Sequence, residues 1–414
     1  MGYTEGQSGH LATHAAIDVS IAQHATDIAS VATDLATLET GLPATFAGAA
    51  RGILTSSWGY LGDSITYGSL ATTAGGYAKF VSYLSGQSIR LTQRSGKQGF
   101  RSDQLIPFIS SEIIPSGATT CFVLLGTNDA AQDVPIATYA ANMTQVIATL
   151  RAANIAPVIG TVPPRSDKSS LVSQYNMWLR AFAAKKAVPL VELHGVLVNA
   201  ATGGYLTALD GGDGVHPNLA GHVAIAEAII AAVAPLIPPA APILATANVE
   251  GANLFANALF LTDANTDGIA DGWGTTGTAS PVYTLQSDTR WLGKAQKWAI
   301  PAPGYRRIEQ NISAGFSPGD TLAFAMVLAV ENMNPAEADG FKLDLVCTGG
   351  AAGTYSLFSG ITKNINRAVI YEKFQVPAGT TAIRARFTGQ CSTGSVDYMI
   401  AQATCVNLTA MGLT

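Results

Sequence analysis

Trp58-Gly59-Tyr60-Leu61-Gly62-Asp63-Ser64-Ile65-Thr66-Tyr67-Gly68 is the stretch from which the rest of the chain is read. A short apolar run ends in Gly-Asp-Ser, and a polar, glycine-bearing segment follows. This is how a strand delivers a serine to the mouth of a pocket, which makes Ser64 the candidate nucleophile. A serine hydroxyl is weak at neutral pH, so it needs a base to take its proton and donors to hold the oxyanion that forms.

Outward from this stretch, apolar runs alternate with helical patterns. Strands are expected over 59–62, 89–92, 120–125, 157–161 and 189–193, and helices over 76–84, 135–153, 169–187 and 218–236, with Pro217 just ahead of the last. Strands separated by helices imply an α/β unit whose parallel sheet is covered on both faces. Ligands of such sheets bind beyond the carboxyl ends of the strands. Ser64, Gly99 and Asn128 each come after an expected strand and would meet on that edge.

Three later blocks supply partners in order: Gly96-Lys97-Gln98-Gly99, Gly126-Thr127-Asn128-Asp129 and Asp213-Gly214-Val215-His216-Pro217. Asp213 precedes His216 by three residues, so both can project from one loop with the carboxylate on the far nitrogen of the imidazole. That contact fixes the tautomer and stabilises the imidazolium. His216 would then take the proton of Ser64 and return it to the leaving alcohol. Asp210 is a rival carboxylate at a less direct spacing. Of the six histidines, His10, His14 and His24 lie near the N-terminus, His194 follows an apolar strand and His222 sits inside the last helix, positions that suit packing or capping.

Together the four blocks resemble an SGNH hydrolase of the GDSL esterase family, over about residues 58–236. The resemblance implies a flavodoxin-like three-layer domain, an acyl-enzyme on Ser64, and catalysis without a metal or cofactor. It also implies an oxyanion hole built from the backbone N–H groups of Ser64 and Gly99 and the side-chain amide of Asn128; the family places the donor glycine at the later of the block's two, hence Gly99 rather than Gly96. One departure stands out: where the family often carries asparagine two residues before the first glycine of that block, this chain has Arg94, which puts the supporting hydrogen bonds in question rather than the donor. Asp63 and Asp129 read as loop-bracing residues rather than acids.

Before this domain, residues 7–44 carry a heptad seam: His10, Ile17, His24, Val31 and Leu38 on one position, His14, Ile21, Ile28, Leu35 and Leu42 on the other. A coiled-coil stem over 1–44 is expected, and isoleucine at both central seam positions favours three or four strands over two. A single amphipathic helix packed on its own domain is the alternative. The stem histidines read as layered polar residues that set register, with metal ligation as the rival reading.

The domain expected over 45–236 ends among Pro235, Pro238, Pro239 and Pro242, and a linker is expected over 237–250. Beyond it, helical periodicity gives way to β-rich runs over 321–330, 341–347, 368–376, 382–388 and 396–408, as a β-sandwich over 251–414 requires. Asn253-Leu254-Phe255, the acidic loop 263–271 and Gly272-Trp273 resemble the opening of jelly-roll carbohydrate-binding modules. Within that loop Asp263, Asn265, Asp267 and Asp271 have the oxygen spacing of a calcium loop, but Gly274 stands where the twelfth-position glutamate belongs. A structural calcium ion and a loop without one both stay open. Gly315-Phe316-Ser317-Pro318-Gly319 fits a nucleophile-elbow pattern, but Pro318 removes the N–H that an oxyanion hole would need, and the stretch reads as a turn.

Charged residues make up 12% of the chain against roughly 25% in ordinary soluble proteins, and the net charge is -5 with no Lys/Arg run. Nucleic acid is excluded as an expected partner. The first thirty residues lack a basic start followed by an apolar core, and no uninterrupted apolar stretch reaches about 18 residues, so neither a signal peptide nor membrane insertion is expected. Cys121, Cys347, Cys391 and Cys405 show no CxxC spacing. Cys121 reads as a buried hydrophobe, with a Cys391–Cys405 bridge as the one pairing left open.

Stem, hydrolase and sugar-module-like β-domain without a secretion signal resemble a bacteriophage tail spike or tail fibre. The expectation is a homotrimeric, virion-borne O-acetylesterase, assembled in the bacterial host cytoplasm and acting outside the cell on acetylated capsule or lipopolysaccharide, with other tail proteins bound through its N-terminus. The alternatives are a secreted acetylxylan-type esterase and a non-catalytic receptor-binding protein.

Overall fold

The computed structural model describes residues 54–71, 76–238, 243–333, 340–361, 363–392 and 394–413. The heptad seam over 7–44 lies outside the described residues. Strand β1, Ser57–Gly62, is buried from its second residue on, as an apolar run flanked on both sides by other strands must be. It pairs in parallel with β2, Arg90–Gly96, and with β3, Thr120–Leu124. Adding β4, Ala156–Gly160, and β5, Leu190–Val191, gives the parallel order β2-β1-β3-β4-β5, the doubly wound order in which ligands sit between the strands where chain direction across the sheet reverses.

Helices cover both faces. Tyr60, Phe122 and Val158 point to one side, into a core with Tyr77, Phe80 and Val81 and with Val223, Ile225 and Ile229. Leu61, Val123 and Ile159, their neighbours along the strands, point to the other side, against Leu105, Met143, Ile147 and Leu179. The alternation follows from the period of two in a strand. The helices are α1, Ser64–Tyr67; α2, Gly76–Leu84; α3, Ser102–Phe108; α4, Thr127–Ala131; α5, Ile136–Ala152; α6, Ser169–Lys186; α7, Leu193–Leu197; and α8, Leu219–Val233. Asn218 caps α8, its side chain accepting from Gly221 N at 2.9 Å. Residues 219–236 are long and apolar enough to cross a membrane by composition, but here they hold Val223, Ile225 and Ile229 against the sheet.

Several elements differ from expectation. β2 runs on to Gly96 instead of ending at Thr92, because its polar residues Gln93, Arg94 and Ser95 still pair with β1. α3 was not anticipated: Pro107 lies inside it, and the chain continues through a π-helical turn at Ile109–Ile113 and a 3₁₀ turn at Ile114–Ser116. The expected strand over 189–193 is two residues long and turns at once into α7.

The described residues beyond 243 form two five-stranded antiparallel sheets, one in the order Ile365–Gln375, Thr321–Glu331, Val396–Asn407, Lys294–Ile300, Val282–Ser287 and the other in the order Gly353–Ile361, Phe341–Thr348, Ala382–Cys391, Gly304–Ile312, Gly274–Gly277. These strands are β6, Gly274–Gly277; β7, Val282–Ser287; β8, Lys294–Ile300; β9, Gly304–Ile312; β10, Thr321–Glu331; β11, Phe341–Thr348; β12, Gly353–Ile361; β13, Ile365–Gln375; β14, Ala382–Cys391; and β15, Val396–Asn407. The sheets face each other: Phe341 of one lies 6.0 Å from Tyr398 and 6.4 Å from Trp298 of the other, centroid to centroid. Five of the ten strands escaped the sequence reading, among them Lys294–Ile300 and Gly304–Ile312, whose charged outer positions mask a buried alternate set. Residues 244 and 245 already pack on this unit, Ala245 N donating to Thr404 Oγ1 at 2.7 Å. Trp273 is buried against Phe255, Phe260 and Phe387, so it serves the core rather than a sugar surface. All four cysteines are buried free thiols; the Cys391–Cys405 bridge is not made. Residues 315–319 form a turn between β9 and β10.

The two units share α2. Lys79 Nζ lies 2.9 Å from Glu372 of β13, the Tyr83 hydroxyl donates to the same carboxylate, Gln87 Nε2 reaches Val369 O at 3.0 Å, and the Tyr83 ring stands edge-on to Phe358 at 5.1 Å. The inner face of the same helix carries Tyr77, whose hydroxyl meets Thr66 Oγ1 at 2.7 Å. His222 of α8 stacks on Tyr77. Its Nδ1 accepts from Tyr77 N at 3.3 Å and its Nε2–H donates to Ser69 O at 3.0 Å, so the neutral ring has both nitrogens satisfied, and burial holds its pKa down at about 4.

Two outcomes follow. A Cβ on Gly96 would lie 2.2 Å from the backbone N of Tyr67, where no side chain can give way. Gly96→Ala is therefore expected to destabilise the chain by about 3 kcal/mol or more in urea unfolding; a loss within experimental error contradicts this packing. His222 stays neutral in the fold while the unfolded chain takes up a proton below about pH 6.5, so this residue removes stability as pH falls from there towards its folded pKa of about 4. His222→Gln should flatten the stability profile in that window by up to about 1.4 kcal/mol per pH unit. Parallel profiles would contradict it.

Candidate active site

β1 ends at Gly62, and α1 begins two residues later, so Ser64 is the first residue of a helical turn at the carboxyl edge of the sheet. Asp63 caps that turn, its Oδ1 accepting from Ile65 N at 2.9 Å. The Asp63 carboxyl is buried, which pushes its pKa up to about 7 against the lowering effect of the Ile65 amide and of His216.

Loop 210–217 brings the base. Asp210 bridges to Pro217, and Gly211 N donates to His216 O at 2.8 Å, closing the loop. His216 Nδ1 lies 2.6 Å from Asp213 Oδ2, and His216 Nε2 lies 2.7 Å from Ser64 Oγ. Asp213 Oδ1 accepts from the backbone N of Val215 and of His216 at 2.9 and 2.8 Å. Burial works to raise the Asp213 pKa, but these hydrogen bonds outweigh it and hold the carboxyl below its usual range. An ionised carboxylate only accepts, so Nδ1 carries the hydrogen and Nε2 is left to accept from the serine. The rival Asp210 is turned the other way, its Oδ1 receiving Gly212 N and Gly214 N at 3.0 and 3.2 Å.

The second and third sequence blocks follow β2 and β3, the strands on either side of β1. Gly99 lies in a turn after β2 with φ +78°, a backbone state that favours glycine, and a Cβ there would meet nothing within 4 Å. The requirement for glycine is thus conformational, and the open side is space for a ligand. Asn128 sits in α4, directly after β3, with Nδ2 donating to Phe100 O at 3.0 Å; its second amide hydrogen is left for another acceptor. Asp129 accepts from Ser102 N and Ser102 Oγ at 3.0 and 2.5 Å, and burial raises its pKa. It braces the start of α3, as Asp63 braces α1.

His194 takes no part: its Nδ1 lies 3.1 Å from Val162 O. Ser102 and Asn142, which complete the brace through a 3.0 Å contact, were missed by the sequence reading; Ser102 at the head of an unforeseen helix was the available signal. In the acidic loop, Asp263 Oδ2 accepts from Gly268 N, Asp267 Oδ1 from Ile269 N and Asp271 from Ala264 N, while Asn265 Nδ2 donates to Asp267. The loop thus closes on its own amides, with Asp263 Oδ1 buried and unpartnered. Among the described residues no group of three or more His, Cys, Asp or Glu is gathered as for a metal.

Chemically, a hydroxyl on the free nitrogen of an imidazole, itself oriented by a carboxylate, can lose its proton as it attacks an acyl carbon. Among solved structures, the chain is similar to a G-D-S-L family lipolytic protein from Desulfitobacterium hafniense DCB-2 (16% identity, 43% of this chain and 99% of that one, TM-score 0.39). It is also similar to an acetylxylan esterase from Geobacillus stearothermophilus (19%, 44% and 96%, TM-score 0.38) and to the enzymatically active domain of a tailspike protein of bacteriophage CBA120 (13%, 38% and 21%, TM-score 0.30). No curated protein matches the chain. Residues 60–224, which run from the middle of β1 into α8 and include Ser64, Asp213 and His216, match the GDSL-like lipase/acylhydrolase family.

Proposed function

We propose that the protein is a serine esterase that removes acetyl groups from a polysaccharide through an acyl-enzyme on Ser64. The observation that carries the reading is the unbroken relay from Asp213 Oδ2 through His216 to Ser64 Oγ, at 2.6 and 2.7 Å. Ser64 Oγ attacks the acyl carbon as its proton passes to His216 Nε2. The backbone N–H groups of Ser64 and Gly99 and the free amide hydrogen of Asn128 receive the oxyanion, where charge develops. When the tetrahedral species collapses, His216 gives its proton to the sugar oxygen and the alcohol leaves. Water then attacks the acyl carbon, its proton goes to His216, and the acid departs as Ser64 recovers its hydrogen. Asp213 stays ionised throughout and holds the ring.

The polysaccharide assignment has separate support. The β-sandwich opens with the Asn253-Leu254-Phe255 and Gly272-Trp273 pattern of sugar-binding modules, and the heptad seam over 7–44 suits a trimeric stem of the kind that carries virion-borne enzymes. On this reading the chain is a phage tail deacetylase of capsule or lipopolysaccharide.

Released acetate from acetylated bacterial polysaccharides tests the substrate, with p-nitrophenyl acetate as the general ester. Ser64→Ala should lower kcat by about 10⁴-fold or more, and Asn128→Ala by about 10²- to 10³-fold with little change in KM. Undiminished turnover by Ser64→Ala would remove the nucleophile, and ester cleavage without acetate release from any polysaccharide would remove the substrate class. For the stem, light scattering of the full chain should give a trimer that dissociates when residues 1–44 are deleted; a monomeric full chain contradicts it.

A further inference from the structure

Gly99 is aimed by a turn that is clamped at both ends. Lys97 O accepts from Phe100 N at 3.3 Å, and with Gly99 at φ +78° in third place the four residues make the turn type that requires a positive φ there. In such a turn the peptide between the second and third residues is fixed in direction, and its N–H is that of Gly99. The far end is held by Asn128, through Nδ2 to Phe100 O at 3.0 Å.

The near end is held by Glu112, which lies on the π-helical turn Ile109–Ile113 after α3, an irregularity often found at functional sites. Its Oε1 lies 2.5 Å from Lys97 Nζ. Its Oε2 accepts from Ser95 Oγ at 2.6 Å and from Gln93 Nε2 at 3.3 Å. Gln93, Ser95 and Lys97 alternate along β2 and its extension, so one carboxylate gathers three donors from a single face of the strand that carries the Gly99 turn. Lys97 is held from a second side by the Phe108 ring, 4.4 Å from its ammonium, and its own N–H donates to Gly62 O at 2.9 Å. Burial works to raise the Glu112 pKa, but hydrogen bonds from Lys97 and Ser95 outweigh it and hold the carboxyl below its usual range, so it is ionised at neutral pH.

We propose that Glu112 is a positioning residue for acyl transfer: it anchors Lys97, and through Lys97 the turn that points the Gly99 N–H at the developing oxyanion. The inference rests on the esterase reading above. It also locates support for the second block that does not come from residue 94, where this chain carries arginine.

Glu112→Gln and Lys97→Met test it. Lys97→Met leaves the carboxylate with two of its three donors, so it keeps the clamp broken at one point only. Donor interactions that act in the transition state lower kcat and kcat/KM together, and loosening rather than deleting a donor should cost about 10- to 100-fold. Each variant is therefore expected to lose kcat on p-nitrophenyl acetate by that factor with KM within about twofold of wild type, and the double exchange Glu112→Lys with Lys97→Glu to recover part of it. Hydrogen exchange provides a readout independent of turnover: the amides of Lys97 and Phe100 should exchange at least about tenfold faster in Glu112→Gln. A variant with lowered melting temperature but unchanged kcat below it overturns the inference, as does unchanged exchange at those amides. Absence of esterase activity in the wild type would overturn the esterase reading alone, and the exchange arm would still decide the clamp.

Discussion

The hydrogen bond from Lys97 N to Gly62 O is the last rung of the β1–β2 ladder, and the site depends on where that ladder stops. Up to this rung the two strands are in register, Gly62 opposite Gly96. Immediately beyond it they part, one into the turn that begins with Ser64, the other into the turn that holds Gly99. Ser64 and Gly99 are therefore set relative to each other by sheet geometry, not by loop conformation alone. The absence of a side chain at Gly96 allows the separation to be this short, since a Cβ would fall on the Tyr67 backbone. A site placed on the ends of a rigid sheet needs little further ordering to meet a transition state.

Rigidity comes from beneath as well. α2 lies between the nucleophile turn and the β-sandwich, touching Thr66 through Tyr77 and Glu372 through Lys79 and Tyr83. Exposed ion pairs contribute little by themselves, but here the Lys79–Glu372 pair sits beside the edge-on contact of Tyr83 with Phe358, so charge and apolar burial act on one helix face. A second ion pair, Lys363 with Glu227 of α8 at 2.9 Å, ties the sandwich to the other helix of the same layer. The β-domain thus braces the helical layer behind Ser64 even where it contributes no residue to the relay.

The parallel sheet with helices on both faces was legible because its signals are local, apolar runs of strand length, and the carboxylate three residues from a histidine is drawn up to Ser64 in the fold. What escaped was written in contacts between distant residues. β2 continues past Thr92 because Gln93, Arg94 and Ser95 pair with β1 and the side chains of Gln93 and Ser95 hydrogen-bond to Glu112, which no hydrophobic period reveals. α3 was hidden by Pro107 and by the change of helical pitch at Ile109–Ile113. Two sandwich strands were missed where charged residues occupy the outward positions, Lys294–Ile300 and Gly304–Ile312; the other three, Gly274–Gly277, Val282–Ser287 and Gly353–Ile361, are short or rich in small and polar residues. Trp273 enters the sequence reading as part of a module-like pattern, and its place in the core against Phe255, Phe260 and Phe387 is visible only in the packing. Gly99 was singled out through the family's pattern, and the fold supplies a backbone reason for glycine there, its positive φ.

Two aspartates flank the chemistry, and their environments assign them opposite work. The side chain of Asp213 is 45% exposed and accepts three hydrogen bonds; it is held ionised, and a fixed negative charge on the far side of His216 favours the imidazolium that forms when the serine gives up its proton. Asp63 is 1% exposed and has its pKa pushed up to about 7, chiefly by burial. Were it placed where it could take the proton of His216, it would compete with Asp213 for the base. Its carboxylate is instead turned to the Ile65 amide, where it stiffens the first turn of α1 and keeps the Ser64 hydroxyl in line with Nε2. Environment, not residue type, separates the carboxylate that steadies the base from the one that holds the nucleophile.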